Sequence, residues 1–458
     1  MIEPALYFQL GVFVAIAIAF GFSRYASFFH PLTFYLLFHF IVFVLRPFMI
    51  YYFKFENEWI YMGFTPTPDQ FNYTLFVTTI GLIVFTIVCW ITGRTEPDFS
   101  KVDFAQHSSA RNQAMIWTWA LLGPLAIYSA FFAPEYAGPD TVGGIQMTQD
   151  MVTGATVYVN TTGYLVDAQT MFSPLVVMLM WRYRFALWTW VPLLVFILYR
   201  AFLGGGRWPM ITTTLTVILL QLLRSRKKWF QIRYIVVLFP LFFLFQSIGA
   251  DRNLFRDFIS DSPRARQMNV KIQDNKTWLQ KQDNPDFANF EFLTVILWAV
   301  PDKSHTYSYF TQYLQLFTEP VPRILWPEKP IGPPIRLINM NDFANFYGLT
   351  DALVGDGWKS AGYIGVIITI SIVAFVLGLF HRRFWQQLNN PPSVIFYCTF
   401  LPLTITWFRD GSISIFKSAL FTVFPIIIWQ GFTRLFEELE RGRDSFMPRV
   451  RQPRDRER

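Results

Sequence analysis

Long apolar runs decide most of what this chain can become. A helix that crosses the hydrocarbon core of a bilayer needs about 20 predominantly apolar residues. Eleven segments approach that requirement: roughly 4–22, 31–52, 71–92, 114–132, 163–181, 185–203, 208–223, 232–249, 361–380, 392–408 and 413–431. The fifth is the weakest, because Asp167 and Gln169 interrupt its start. Only 15% of the 458 residues are charged and 53% are hydrophobic, whereas a soluble domain carries about 25% charge. Disorder, a coiled coil and a soluble enzyme are thereby excluded. The first run has only Glu3 ahead of it, so it lacks the positive start of a cleaved signal peptide and reads as a retained span. Cys89 and Cys398 lie in distant apolar runs, which suits core residues and makes neither a disulfide framework nor a zinc site. The expectation is an all-α polytopic membrane protein with about eleven transmembrane helices.

Lys and Arg divide the connections into two sets. Arg24, the 94–111 connection, Arg182 with Arg184, the 224–233 connection, Arg382 with Arg383 and the Arg-rich tail from Arg434 form a basic set. Short basic connections face the cytoplasm. The others are poor in Lys and Arg, and 133–162 has none. The N-terminus is therefore expected outside and the C-terminus inside, with the tail against anionic lipid headgroups rather than nucleic acid. The organisation that follows is 1–249 with eight spans, a large outer segment 250–360, 361–431 with three more spans, and the basic tail 432–458. Segment 250–360 has twelve basic and thirteen acidic residues, and long loops translocate regardless of charge. It is too long for a passive connector and rich in aromatic residues. Its apolar stretch Phe290–Val300 is too short to span and suits a re-entrant or interfacial helix.

Ionisable residues inside spans are functional candidates by default. Arg46, Asp167, Arg200 and Lys417 all fall near outer helix ends in this orientation, which suggests a polar chamber open to the outer side; snorkelling of long side chains is the simpler reading of each alone. His39, nearer mid-depth, is expected to be an interhelical hydrogen-bonder. In the outer turn Leu203–Pro209, three glycines lie between Arg200 and Arg207. Backbone N–H groups and guanidinium forks there suit a phosphate, or the glycines serve only a tight turn. Arg252 and Arg256 share a face if helical, with Asp251 and Asp257 as neutralising neighbours. The proline-rich stretch 319–334 holds Arg323, Glu328 and Lys329 on a stiff backbone. Asp356 lies between two glycines just before the ninth span, and Arg409-Asp410-Gly411-Ser412 forms the last outer connection.

Common catalytic signatures are missing: no DxD, HExxH, GxSxG or CxxC. Glu56-x-Glu58 is a weak divalent-ion motif. His305, with Asp302 three residues earlier, is the sole histidine expected outside. The 20–50-residue periods of solenoids are absent.

Taken together, these pieces resemble the Wzy-type polymerases of bacterial O-antigen and exopolysaccharide repeat units, a GT-C-like group of membrane glycosyltransferases. The resemblance is one of layout, over about residues 30–435. It rests on Gly206-Arg207, Arg252 beyond the next span, Pro322-Arg323 to Lys329-Pro330, Gly355-Asp356-Gly357 with Gly362, and Arg409-Asp410-Gly411. The related O-antigen ligases share this layout. The resemblance implies transfer between undecaprenyl-diphosphate-linked oligosaccharides, donor and acceptor, at the periplasmic face of the bacterial inner membrane. It implies no cofactor, and a chain-length regulator as a further partner. By the same resemblance Arg200, Arg207, Arg252, Arg256, Arg323, Lys329 and Arg409 would bind the diphosphate without a metal, and His305 or Asp356 would take the acceptor proton. Two other readings stay open: a lipid-linked oligosaccharide flippase, and a metal-dependent glycosyltransferase using Glu56 and Glu58. A transporter would more commonly show midplane sites and internal repeats.

Overall fold

The structure is a computed structural model. It describes residues 2–101, 109–132, 147–149, 156–158, 168–202, 208–234, 236, 283, 287–318, 320–321, 325–326, 329–330, 332–346 and 350–446. The chain is an all-α polytopic membrane protein. Among the described residues, six helices are long and apolar enough to cross a bilayer. They are α1 (Glu3–Gly21), α2 (Pro31–Phe53), α4 (Pro68–Thr92), α10 (Ala352–Gln386), α11 (Pro391–Asp410) and α12, which runs from Ser412 to Phe446. Between them lie α3 (Asn57–Met62), α5 (Ser109–Phe132), α6 (Phe172–Arg182), α7 (Trp190–Phe202), α8 (Trp208–Arg224) and α9 (Asn289–Ala299). The expected eighth span lies almost wholly outside the described residues, as does Asp167. One element was not expected: a short antiparallel hairpin pairs β1 (Met147–Gln149) with β2 (Thr156–Tyr158).

Local signals set the helix starts. Thr67 caps α4 through a reciprocal capping box with Gln70, and Pro68 occupies the first turn, where its missing N–H is no loss. Within the bundle, hydroxyl and amide pairs join the helices. Gln9 Nε2 donates to Thr78 Oγ1 at 2.9 Å, and Thr74 Oγ1 donates to Thr294 Oγ1 at 3.0 Å. Each such bond in a membrane contributes on the order of 0.6 kcal/mol. Aromatic stacking adds to this, as between Tyr35 and Phe85 with centroids 3.8 Å apart. His39 departs from expectation. It is fully buried against the rings of Phe13, Tyr35 and Phe43, and neither nitrogen meets a hydrogen-bond partner among the described residues. A π-helical turn, Phe40–Leu45, follows it directly.

The basic connections meet one another at one end of the bundle. Lys228 Nζ donates to the Arg24 carbonyl at 3.0 Å, Arg24 pairs with Glu96 at 2.9 Å, and Arg224 Nη1 donates to the Arg184 carbonyl at 2.6 Å. The opposite end gathers α3, α9, the turns of 300–346 and the α11–α12 junction. There the Asn345 N–H donates to the Met62 carbonyl at 3.2 Å, and Asn289 Nδ2 donates to the Arg409 carbonyl at 2.8 Å.

Two features build that second end. α9 is apolar but only 11 residues long, and it is buried in protein rather than lying on a surface. Phe290 packs against Phe71 of α4 with centroids 4.7 Å apart. It is too short to span and is covered by its neighbours, the condition under which such a helix can lie at membrane depth. α10 begins nine residues before the expected boundary at 361 and breaks at Ala361–Gly362. Gly362 has φ +58° and ψ −135°, and a Cβ there would lie 3.0 Å from the Tyr307 hydroxyl. The backbone freed by the break is taken up by residues 308 and 309: Ser308 N–H donates to the Lys359 carbonyl at 2.7 Å and Tyr309 N–H to the Ser360 carbonyl at 3.0 Å.

Candidate functional site

The break in α10 turns Asp356 inward. The sequence places Asp356 in a loop-like approach to a span; instead it sits on the short first half of α10, buried at 4% exposure. Its carboxylate meets the start of α12, where Asp356 Oδ2 accepts the Ser412 N–H at 2.9 Å. The first N–H groups of a helix have no partner within it and carry partial positive charge, so this end satisfies a buried carboxylate well. Gly411 makes the approach feasible. It has φ +83°, and a side chain there would overlap the Asp356 carboxylate.

Arg409 lies two residues before this turn, at the end of α11. Its guanidinium stacks on Trp208 at 4.5 Å from the ring centroid, and Nε donates to Asp410 Oδ1 at 2.5 Å. Asn289, the first residue of α9, holds the backbone of this turn through its bond to the Arg409 carbonyl and donates also to Thr350 Oγ1 at 2.8 Å. Gln312 Nε2 donates to Ser360 Oγ at 2.6 Å, and Ser360 Oγ donates to the Asp356 carbonyl at 2.7 Å. Tyr313 follows Gln312; burial pushes its phenol above the usual range, with the nearby Asp356 charge adding to the shift. The cluster thus joins residues from α8, α9, α10, α11 and α12 with the turns of 308–313. A buried carboxylate, bound to the Ser412 N–H at the start of α12, lies at the turn that follows Arg409, whose guanidinium is held by Trp208 and Asp410. Such a set can hold an anionic group and accept a proton.

The other sequence candidates divide. His305 is exposed, in a bend with φ +53°, and is not on a helix with Asp302. Lys329 is buried at 9% exposure, and its ammonium donates to the Val321 carbonyl at 3.1 Å within its own proline-rich segment. Arg207, Arg252, Arg256 and Arg323 lie outside the described residues. Arg200 lies on α7, and Lys417 on α12. Glu56 is exposed and Glu58 buried.

One cluster escapes sequence reasoning. Arg46 of α2 is buried at 5% exposure and reaches 245 residues along the chain. Its Nε and Nη2 donate to Glu291 Oε1 at 2.7 and 2.5 Å, and Nη2 donates to Asp283 Oδ1 at 2.6 Å. Asp283 also accepts the Asn57 N–H at 3.0 Å, and Arg46 lies over the Phe55 ring at 5.1 Å. Glu291 is the sole acidic residue in the first turn of α9. A lone carboxylate in an apolar re-entrant stretch was the available signal, because such a group needs a buried partner.

A family model described as O-antigen polysaccharide polymerase Wzy matches residues 2–262. No curated protein sequence and no solved structure matches the chain.

Proposed function

Because the chain belongs to the family of O-antigen polysaccharide polymerases described as Wzy, we propose that the cluster at the α11–α12 junction is where it joins repeat units. Polymerisation of oligosaccharide repeat units is the activity of the family, and the substrates are lipid-linked units in a multi-pass membrane protein. The finer assignment is our own reading. The donor is a growing chain on undecaprenyl diphosphate, the acceptor is a hydroxyl of a single lipid-linked unit, and the reaction takes place at the periplasmic face of the inner membrane. The outer segment 250–360 forms the substrate-binding part, between the eight spans before it and the three after.

In this reading the acceptor oxygen attacks the anomeric carbon. The bond from that carbon to the diphosphate oxygen breaks, and the acceptor proton leaves. Arg409 neutralises the charge growing on the diphosphate, aided by the N–H end of α12. Cations fixed in advance at the place where charge develops contribute several kcal/mol. Asp356 takes the proton. His305 is the alternative base. Arg200, Arg207, Arg252, Arg256, Arg323 and Lys329 are the further cations of the diphosphate site, and no divalent metal is required because guanidinium groups supply its charge. The observation that carries the proposal is the bond from the Ser412 N–H to the buried Asp356 carboxylate across Gly411, at the turn that follows Arg409.

The test combines purified protein with lipid-linked repeat units in excess EDTA, with products separated on a gel. A ladder of chain lengths supports the proposal. Transfer to lipid A instead would mark a ligase, and unchanged substrate a transporter. Loss in EDTA with recovery in magnesium, together with inactive Glu56→Gln and Glu58→Gln variants, would replace the arginine-based mechanism with a metal-dependent one.

A further inference from the structure

At the same end of the bundle lies a second cavity that shares no residue with the Asp356–Arg409 cluster. Its volume is about 410 Å³, within the range of about 300–1,000 Å³ typical of small-molecule sites. It is formed chiefly by the connection from α2 to α4. Trp59 and Phe71 make buried walls, Phe64 and Tyr51 are partly buried, and Lys54 and Glu56 stand exposed at the rim. The walls are fixed from outside. Phe64 packs on Trp298 of α9 with centroids 5.0 Å apart, Asn57 is bonded to Asp283, and the Met62 carbonyl accepts the Asn345 N–H.

We propose that this cavity holds sugar residues of the polymer, as a chain-retaining subsite apart from the transfer centre. The inference rests on the polymerase reading above. Its chemistry singles out a saccharide. Aromatic walls take the apolar C–H faces of sugar rings, while an ammonium and a carboxylate at the rim donate to and accept from their hydroxyls. A lipid diphosphate would gain nothing net from a Lys54–Glu56 pair of opposite charges. A polyprenyl chain would pack on Ile2, Ile50 and Ile60 but make no use of the charged rim, and its displacement of the oligosaccharide is the outcome that separates the two. The position fits too. Trp298, which supports Phe64, and Asn289, which holds the Arg409 carbonyl, are nine residues apart on α9, or about 14 Å at 1.5 Å per residue. One helix therefore touches both places, since Phe290, next to Asn289, packs on the cavity wall Phe71. A chain bound at both places would be released less often between additions.

The experiment uses the full-length protein in detergent. The probes are lipid-free oligosaccharides of one, two and four repeat units, released from the host's own surface polysaccharide, and binding is read by saturation-transfer NMR and titration. Lys54→Ala combined with Glu56→Gln changes only exposed rim groups, and Trp59→Phe keeps the wall while removing the indole N–H. The expected result has three parts: the longer oligosaccharides bind the wild type, the double variant binds them at least tenfold more weakly, and its ladder in cells shifts to shorter chains at unchanged melting temperature. Arg409→Ala should stop the ladder yet keep oligosaccharide binding. An active Arg409→Ala protein would therefore defeat the transfer-centre reading and leave the cavity assignment standing. The cavity proposal is overturned if no oligosaccharide binds the wild type, if the double variant binds and polymerises as the wild type does, or if polyprenyl phosphate displaces the oligosaccharide.

Discussion

Two arginines near the same end of the bundle have opposite surroundings. Arg46 is sealed between α2 and α9, and both of its carboxylate partners come from segments more than two hundred residues away. Arg409 has its carboxylate partner next to it in sequence, and its guanidinium lies flat on Trp208 beside the start of α12. The first arrangement ties Asp283 and α9 to α2. The second leaves a cation at a junction where a helix end and a buried aspartate also meet. Residue type is alike in the two regions. What separates a brace from a site is whether the charges are matched across the fold or gathered at one turn.

The sharpest way to break this comparison is Arg46→Ala. It strands two buried carboxylates, and removing one partner of a buried pair costs about 3–5 kcal/mol. The expected outcome is a large loss of folded protein in thermal denaturation. An Arg46→Ala protein that melts like the wild type and polymerises normally would show that the cluster braces nothing. Next in size is Asp356→Asn, which keeps an acceptor for the Ser412 N–H but weakens proton uptake. Polymerisation should fall about 100-fold, the lower end of general-base effects, with the melting temperature little changed. Loss of fold instead would make Asp356 a second brace. Gly411→Ala sharpens the contrast from the backbone side. It combines a left-handed φ with overlap on Asp356, and strain of this kind costs on the order of 1–3 kcal/mol. Activity and melting temperature should both decrease. The smallest effect is expected from His305→Ala. The side chain is exposed, and surface substitutions stay within about 0.5 kcal/mol; a ladder altered more than about twofold would return His305 to the chemistry.

How far each region was legible follows from sequence separation. The spans were readable because lipid demands long apolar runs, and the grouping of basic connections because Lys and Arg sort by side. That α9 is a helix too short to span was foreshadowed by the length of its apolar run alone. Asp356 and Arg409 stood out singly, the first between two glycines and the second two residues before one. Their meeting did not, because it depends on the break at Ala361–Gly362, where helical propensity gives no warning that the chain reverses. The Arg46–Glu291 pair was out of reach for the same reason, since no local pattern links residues 245 apart. Glu56 drew attention as half of a metal motif, while Tyr51, Trp59 and Phe64 around it pointed to a different chemistry. Several cations of the diphosphate assignment, Arg207, Arg252, Arg256 and Arg323, lie outside the described residues and keep the status the sequence gives them.

The central claim is that the turn at Arg409–Ser412 transfers repeat units and that Arg46 does not take part. The most direct measurement is the initial rate of ladder formation by purified Arg409→Ala protein, at matched amount and with its melting temperature recorded alongside. The account predicts a protein that melts within a few degrees of the wild type and polymerises at least about 100-fold more slowly, as loss of one charge-stabilising donor entails, with partial recovery in Arg409→Lys, which restores the charge but not the planar fork. A folded Arg409→Ala protein that builds chains at the wild-type rate would contradict it.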